Sequence, residues 1–194
     1  MDELEPLRIV LPGTAIAEGI REVISIYREA DAATASFSKD CRFSCPPSCG
    51  TCCEGFYPEL LSEEADLIAV YLVFLHKELI SILSTGARTG ETERSCPMYD
   101  PDSSLHCRIY PVRPLVCRSF GFTGSLDKGG KPVFRLCKHM PGDEKREYRY
   151  DELAERGYGT PPIFTEHRLQ QAHRHFLLIR IYSIHSRDIM VHTV

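Results

Sequence analysis

The density of cysteine constrains this chain more than any other feature of its sequence. Nine cysteines occur in 194 residues, and five of them fall between positions 41 and 53. A folded protein often holds one or two buried cysteines that act as small hydrophobic side chains, but that role does not explain so dense a group. Such a density is typical of disulfide bonding or of metal binding, and the cellular compartment favours one over the other.

The compartment can be inferred from the start of the sequence and from its apolar runs. Residues Met1 to Pro6 are acidic, whereas a secretory signal needs positive charge followed by an apolar run. The longest apolar run, 67–75, has nine residues, and a membrane-spanning helix needs about 20. We therefore expect a cytoplasmic protein without a membrane partner. In that reducing compartment, metal or redox chemistry is favoured over disulfides.

Composition and charge narrow the class further. The hydrophobic fraction of 43% and the charged fraction of 26% are ordinary for a folded protein. The length suits one domain, which we predict to cover 1–194. The net charge of −4 argues against a protein that binds nucleic acid by neutralising phosphates, so no nucleic-acid partner is expected.

Apolar periodicity and chain breakers predict a mainly α fold, in which helices bracket two irregular cysteine-rich segments, with a small β-hairpin. The cysteine core is expected at about 41–140. Ser62 is the expected N-cap of the second long helix. Pro114 is expected to start a short helix that carries Cys117 and that Gly121 ends. The other expected elements are helices at 15–35, 62–83 and 166–187, strands at 120–125 and 132–136, and a turn at 128–131.

The spacing of the cysteines fits ligation by sulfur. Sulfur atoms two or three residues apart can turn onto one metal if the backbone between them turns tightly, and Gly50 is expected to supply that turn with a positive φ. Four thiolates satisfy either zinc or an iron–sulfur cluster, so the spacing leaves both open. Adjacent Cys52 and Cys53 favour the cluster, because neighbouring side chains diverge and a cluster is wider than one ion. The first group is Cys41, Cys45, Cys49, Cys52 and Cys53, and the second is Cys96, Cys107, Cys117 and Cys137.

Basic residues adjoin the second group of cysteines. Arg108, Arg113 and Arg118 could offset the negative charge of a ligated cluster, and the alternative interpretation is solvated surface arginines. His106 and His139 lie close to cysteines in the sequence. Either histidine could replace a thiolate or hydrogen-bond to one, although an ordinary polar role in a loop is favoured for both.

Two runs carry a more specific pattern: Cys49-Gly50-Thr51-Cys52-Cys53 and Cys107-x-Ile109-Tyr110-Pro111-x-Arg113-Pro114-x-x-Cys117-Arg118-x-Phe120. In them the sequence resembles the YkgJ-type cysteine-cluster family, which is described as zinc- or iron-chelating. That family carries a Cys-x-x-Cys-x-x-Cys-Cys signature and four later cysteines. Here three residues separate Cys45 from Cys49, and Cys41 is surplus to the pattern, so Cys41 and Cys45 are both candidates for the outermost ligand. The metal ligands implied by the resemblance are Cys45, Cys49, Cys52, Cys53, Cys96, Cys107, Cys117 and Cys137.

The resemblance implies a metal-binding protein that holds an iron–sulfur cluster, with 4Fe-4S favoured, or zinc, in a redox or protein-modifying role. Flagellin lysine methylases are similar proteins, so an enzyme that modifies a protein is one alternative, and a zinc-only structural interaction module is another. No catalytic residue is identified, because paired carboxylates, a phosphate-binding glycine loop and a nucleophile elbow are not recognisable. A protein substrate or a redox protein is the expected partner. The sequence leaves enzymatic activity and oligomeric state open.

Overall fold

The chain forms two small cores built from helices and one sheet. The computed structural model describes residues 13–85, 96–141 and 145–164. The α-helices in these ranges are α1 (Ala15–Asp40), α2 (Thr51–Glu54), α3 (Ser62–Leu75), α4 (Ile80–Thr85), α5 (Leu115–Ser119) and α6 (Tyr150–Glu155). Three strands, β1 (Gly124–Leu126), β2 (Pro132–Arg135) and β3 (Glu147–Arg149), form an antiparallel sheet in the order β1-β2-β3. Short 3₁₀ turns occupy Lys77–Leu79 and Tyr110–Val112.

No helix within these ranges is both long and apolar enough to cross a membrane.

α1 and α3 form the helical core. The Thr14 side chain caps α1 by accepting a hydrogen bond from the amide of Ala17 at 3.1 Å. The predicted apolar face of α1 is buried against α3, which is apolar around most of its circumference. The main buried residues of this core are Ile20, Val23, Ile24, Tyr27, Leu67, Ile68, Val70 and Tyr71.

A buried carboxylate connects three helices within the helical core. Glu64 on α3 is 3% exposed. One of its oxygens accepts hydrogen bonds from the Tyr27 hydroxyl at 3.0 Å and from the Leu115 amide at 2.7 Å. The other accepts from the Leu61 amide at 3.1 Å. A buried polar group that loses its hydrogen bonds destabilises the fold. The Leu115 amide therefore stays close to Glu64, and this contact holds the start of α5 against α1 and α3.

The second core is aromatic and joins the end of α1 to the sheet. Phe37 and Phe134 pack edge to face with ring centroids 5.1 Å apart. Phe43 stacks on Phe134 at 5.7 Å and also contacts Tyr148 at 5.5 Å. Aromatic pairs of this geometry add about 0.5–1.5 kcal/mol each beyond the area that they bury. α1 therefore spans both cores and fixes their relative position.

Several predicted elements are confirmed with shifted bounds. α1 continues to Asp40, five residues beyond the prediction. The helix predicted at 62–83 is interrupted at His76 into α3, a 3₁₀ turn and α4. Ser62 is the first residue of α3 rather than its N-cap, and Leu61 occupies the cap position. α5 follows Pro114 and contains the predicted cysteine, and the positive φ of Gly121 (83°) ends this segment.

The predicted mainly α fold is confirmed in part, since helices and a sheet share the described residues. β1 and β2 form the expected hairpin, with Asp127 accepting hydrogen bonds in the turn from the Gly129 and Lys131 amides, both at 2.8 Å. The first strand begins at Gly124, four residues later than predicted. β3 was not predicted, because its three residues hold one apolar side chain between two charged ones. The helix predicted at 166–187 lies outside the described residues.

Candidate metal centre

One cavity between the two cores collects the cysteines. Its volume is about 440 Å³. The residues around it come from the loop after α1, from α2, from the segment before α5, from α5 and from the loop after β2. Its lining includes eight cysteines: Cys45, Cys49, Cys52, Cys53, Cys96, Cys107, Cys117 and Cys137.

The first cysteine loop is held in place by a histidine from the second segment. The Nε2 atom of His106 lies 2.8 Å from the Ser48 carbonyl oxygen, and its Nδ1 lies 3.2 Å from the Asp100 carbonyl oxygen. Ser48 and His106 both have a positive φ (52° and 51°), a conformation that side chains other than glycine adopt only at a cost. The two irregular segments thus fasten each other across the cavity.

Gly50 is required for close approach, and the predicted positive φ at this residue is wrong. Its φ is −103°, which any residue can adopt. A Cβ atom there would lie 2.6 Å from Cγ of His106, well inside the contact distance. The imidazole ring of His106 occupies the space that a side chain at position 50 would need. The left-handed residue of the turn next to the sulfurs is therefore Ser48 rather than Gly50, and Gly50 is needed for its lack of a side chain.

The second cysteine segment is fixed by backbone hydrogen bonds. The Cys96 amide donates to the carbonyl oxygen of Cys53 at 3.2 Å, which joins the two cysteine groups directly. Tyr99 and Cys107 form an isolated antiparallel bridge that closes the loop between Cys96 and Cys107. Cys117 lies in α5, whose amide hydrogen bond to Glu64 holds it in the helical core.

Cys137 and Cys41 both adjoin the aromatic core, and only Cys137 lines the cavity. Cys41 is 8% exposed, and its sulfur lies 3.6 Å from the carbonyl oxygen of Phe43. Burial raises the pKa of the Cys41 thiol, so it stays protonated. Cys41 therefore acts as a small buried side chain, as its surplus position in the sequence pattern suggested.

The range that carries these cysteines matches a known family. A family model, CxxCxxCC, described as "Putative zinc- or iron-chelating domain", matches residues 44–150. The match covers more than half of the chain and includes all eight cavity cysteines, while Cys41 lies outside it. The chain belongs to this family. No curated protein and no solved structure matches the chain significantly.

Membership of the CxxCxxCC family indicates zinc or iron chelation through cysteines. In the metal-free cavity, the pKa values of several of these thiols are raised. Burial is the main reason for the raised pKa values of Cys45, Cys96, Cys107 and Cys117, and the pKa of Cys117 rises to about 12. A metal must displace protons from such thiols, so its binding strengthens as pH rises.

Cys52 and Cys53 differ although they are adjacent. Their sulfur atoms lie 3.9 Å apart and share a hydrogen bond. That bond, with help from the charge of Arg113, lowers the pKa of Cys52 to about 6, whereas the same bond and burial raise the pKa of Cys53. In the metal-free CxxCxxCC domain, this hydrogen bond therefore favours the thiolate form of Cys52 and the neutral form of Cys53.

The structure distinguishes the three arginines that the sequence placed beside the second group. Arg118 also lines the cavity, but it is 7% exposed, pairs with Asp31 at 2.6 Å, and its guanidinium lies 4.1 Å above the Tyr27 ring. Arg108 pairs with Asp100 at 3.2 Å.

Arg113 is the arginine whose charge acts on the thiols. It lines the cavity and stacks 3.7 Å above the Tyr110 ring, and its Nε is buried without a hydrogen-bond partner among the described residues. Its positive charge favours the thiolate form of Cys52 and partly opposes the burial that raises the pKa values of Cys107 and Cys117. Arg113 therefore supplies the charge compensation that the sequence suggested for all three arginines.

The donor set of the CxxCxxCC domain fits a thiophilic metal. The titratable metal donors in the cavity lining are the cysteines, His106, Tyr57 and Tyr110, and no carboxylate lines it within the described part of the chain. His139 is exposed and does not line the cavity. In those same ranges, no three Cys, His, Asp or Glu side chains are already grouped closely enough to hold one ion. Sulfur ligation therefore requires the irregular loops to contract around the metal.

Sequence reasoning missed the apolar rim of the cavity. Five large side chains at its edge are more than a third exposed, and the rings of Phe56 and Phe120 lie 6.0 Å apart. Their signal in the sequence was apolar residues in turn-rich segments next to cysteines, where a loop is normally polar. The rim residues are Phe56, Tyr57, Leu60, Leu105 and Phe120.

Proposed function

We propose that the eight cavity cysteines of this CxxCxxCC domain bind an iron–sulfur cluster, with 4Fe-4S favoured as the cluster type, and that the protein has a redox or protein-modifying role. One observation carries the proposal: eight thiols line a single cavity of about 440 Å³. A zinc ion is satisfied by four thiolates, so eight thiols are more than a lone zinc ion uses. A cluster is wide enough to reach thiols that no single ion could bring together.

The apolar rim supports a protein partner. Tyr57 and Leu105 are 55% and 54% exposed beside the cysteines. Contiguous exposed aromatic and aliphatic side chains commonly mark interaction surfaces, and aromatic residues are enriched at their centres. A partner that covers this rim would exclude water from the metal and bring a redox centre or a side chain to be modified close to it.

Anaerobic purification tests the cofactor directly. The full chain should be brown, with broad visible absorption and with iron and acid-labile sulfide in similar amounts. The control is the Cys41→Ala variant, which removes a thiol outside the cavity and should leave the colour and iron content unchanged. A colourless protein with stoichiometric zinc would instead support the second candidate, a zinc-only structural interaction module. This candidate is favoured because no carboxylate that could act as a base lies in the described cavity lining.

A second pocket favours the enzymatic alternative. It has a volume of about 730 Å³ and shares Cys107, Tyr110 and Arg113 with the cysteine cavity. Arg113 at this junction could pair with the carboxylate of S-adenosylmethionine. Calorimetric titration with S-adenosylmethionine tests a methylase-like role. Binding that is lost in Arg113→Gln would support it, and no binding by the metal-loaded protein would remove it.

A further inference from the structure

We propose that the cavity holds two separate metal centres, each bound by four cysteines. The ligands of the first centre are Cys53, Cys96, Cys107 and Cys117, and those of the second are Cys45, Cys49, Cys52 and Cys137. The proposal rests on the metal-binding function given above and adds the number of centres and the ligands of each. Zinc and a 4Fe-4S cluster each take four thiolates, so eight thiols in one cavity are twice what one centre uses.

The first set is assembled on the helical core. The backbone hydrogen bond from Cys96 to Cys53 and the bridge at Cys107 bring three of its members together. Cys96 and Cys107 both pack against the helical core, and Cys117 lies in α5, which is fixed to the same core through Glu64.

The second set is assembled on the aromatic core. Cys137 packs against that core, and the loop that carries Cys45 and Cys49 leaves it at the buried ring of Phe43. Cys45, Cys49 and Cys137 all line the cavity. Three thiols from this side need a fourth ligand, and Cys52 is the cavity cysteine that the first set leaves over.

The adjacent pair is the point where the two sets meet. Consecutive residues of a helix point about 100° apart around its axis. Cys52 and Cys53 are consecutive in α2, so each can turn to a different centre while their sulfur atoms stay 3.9 Å apart. The doubled cysteine of the family signature then has a physical reason: it delivers one ligand to each of two neighbouring centres.

Cobalt(II) titration of the full-length, metal-free chain under anaerobic conditions tests the proposal. Cobalt bound by four thiolates gives intense thiolate charge-transfer bands and strong visible absorption typical of tetrahedral geometry. We expect saturation at about two equivalents per chain. The Cys117→Ser and Cys45→Ser variants should each keep about half of this absorption, and the double variant should lose it. Cys41→Ala, the matched control outside the cavity, should bind as the parent does.

The outcomes separate this proposal from the proposed function. Saturation of the parent chain at one equivalent, with either serine variant abolishing the signal, would overturn the two centres while leaving metal binding intact. No cobalt or iron bound by the parent would overturn both. The stoichiometry of the parent chain decides the matter even if a serine variant fails to fold, and circular dichroism identifies such a variant.

Discussion

The aromatic core and the cysteine cavity are neighbours that both contain cysteine, yet they differ in character. In the aromatic core, Phe37 and Phe134 are at most 2% exposed, and the Cys41 thiol has backbone carbonyl acceptors. In the cavity, partly exposed thiols surround a space of about 440 Å³. The aromatic core is fully packed and hydrogen-bonded without a ligand. The cysteine cavity is not filled by apolar side chains, and its thiols suit a metal. The neighbours of a cysteine, more than its place in a dense group, therefore decide its role.

Metal removal should have the largest effect and should separate the two regions. Structural zinc sites show apparent binding free energies of about 10–16 kcal/mol at neutral pH, so a chelator should loosen the cavity strongly. Hydrogen exchange should accelerate at the Cys96 amide, which bonds across the cavity, and change little at the Leu136 amide, which bonds to the Arg146 carbonyl beside the sheet. Equal acceleration at both amides would show that the aromatic core also depends on the metal.

Phe134→Ala should break the comparison from the other side. Phe134 is fully buried between Phe37 and Phe43, and truncation of such a ring costs about 3–5 kcal/mol of unfolding free energy. Denaturant unfolding should show this loss, while the metal content of the folded protein stays unchanged. Leu126→Ala, at a half-exposed position of β1, is the control and should change stability by less than about 0.5 kcal/mol.

Gly50→Ala should disturb the junction between the two cysteine segments. The added Cβ would meet the His106 ring at 2.6 Å, and overpacking of this kind costs about 1–3 kcal/mol. Because His106 holds the Ser48 loop, metal affinity should fall together with stability. Gly55→Ala is the matched control, since its φ is −121° and nothing lies within 4 Å of its added Cβ. A similar loss of affinity in both variants would contradict the packing explanation.

Arg113→Gln should produce the smallest effect, confined to the charge of the cavity. Burial raises the pKa values of Cys107 and Cys117, and the Arg113 charge opposes this rise and also favours the thiolate form of Cys52. Loss of the charge should therefore raise all three pKa values and move the pH midpoint of metal binding upward. We expect the metal affinity at neutral pH to fall by about tenfold, which corresponds to about 1.4 kcal/mol of binding free energy. Metal titrations across pH measure the shift. Arg113→Lys should recover most of it, and Arg135→Gln, at an exposed pair with Glu147, should leave it unchanged.

Much of the fold could be predicted from local patterns. The apolar spacing of α1, the Pro114–Gly121 boundaries around α5 and the hairpin turn all depend on residues that are close in sequence, so local physics is sufficient for them. β3 and the interruption at His76 could not be predicted, because each depends on contacts with distant segments. The buried Glu64 is a similar case: a first-turn glutamate suggests a helix start, and only its contacts with Tyr27 and Leu115 make it a buried connector.

The sequence by itself determined the chemistry of this protein: thiols in two groups, a family pattern and the surplus of Cys41. Residue type and spacing are enough for that, because sulfur donors select zinc or iron whatever the fold. Only the tertiary structure decided how the thiols are arranged. The gathering of residues 45–137 into one cavity, the choice of Arg113 among three arginines and the role of Gly50 follow from packing between segments that are far apart in the chain, and sequence spacing carries no information about such distances.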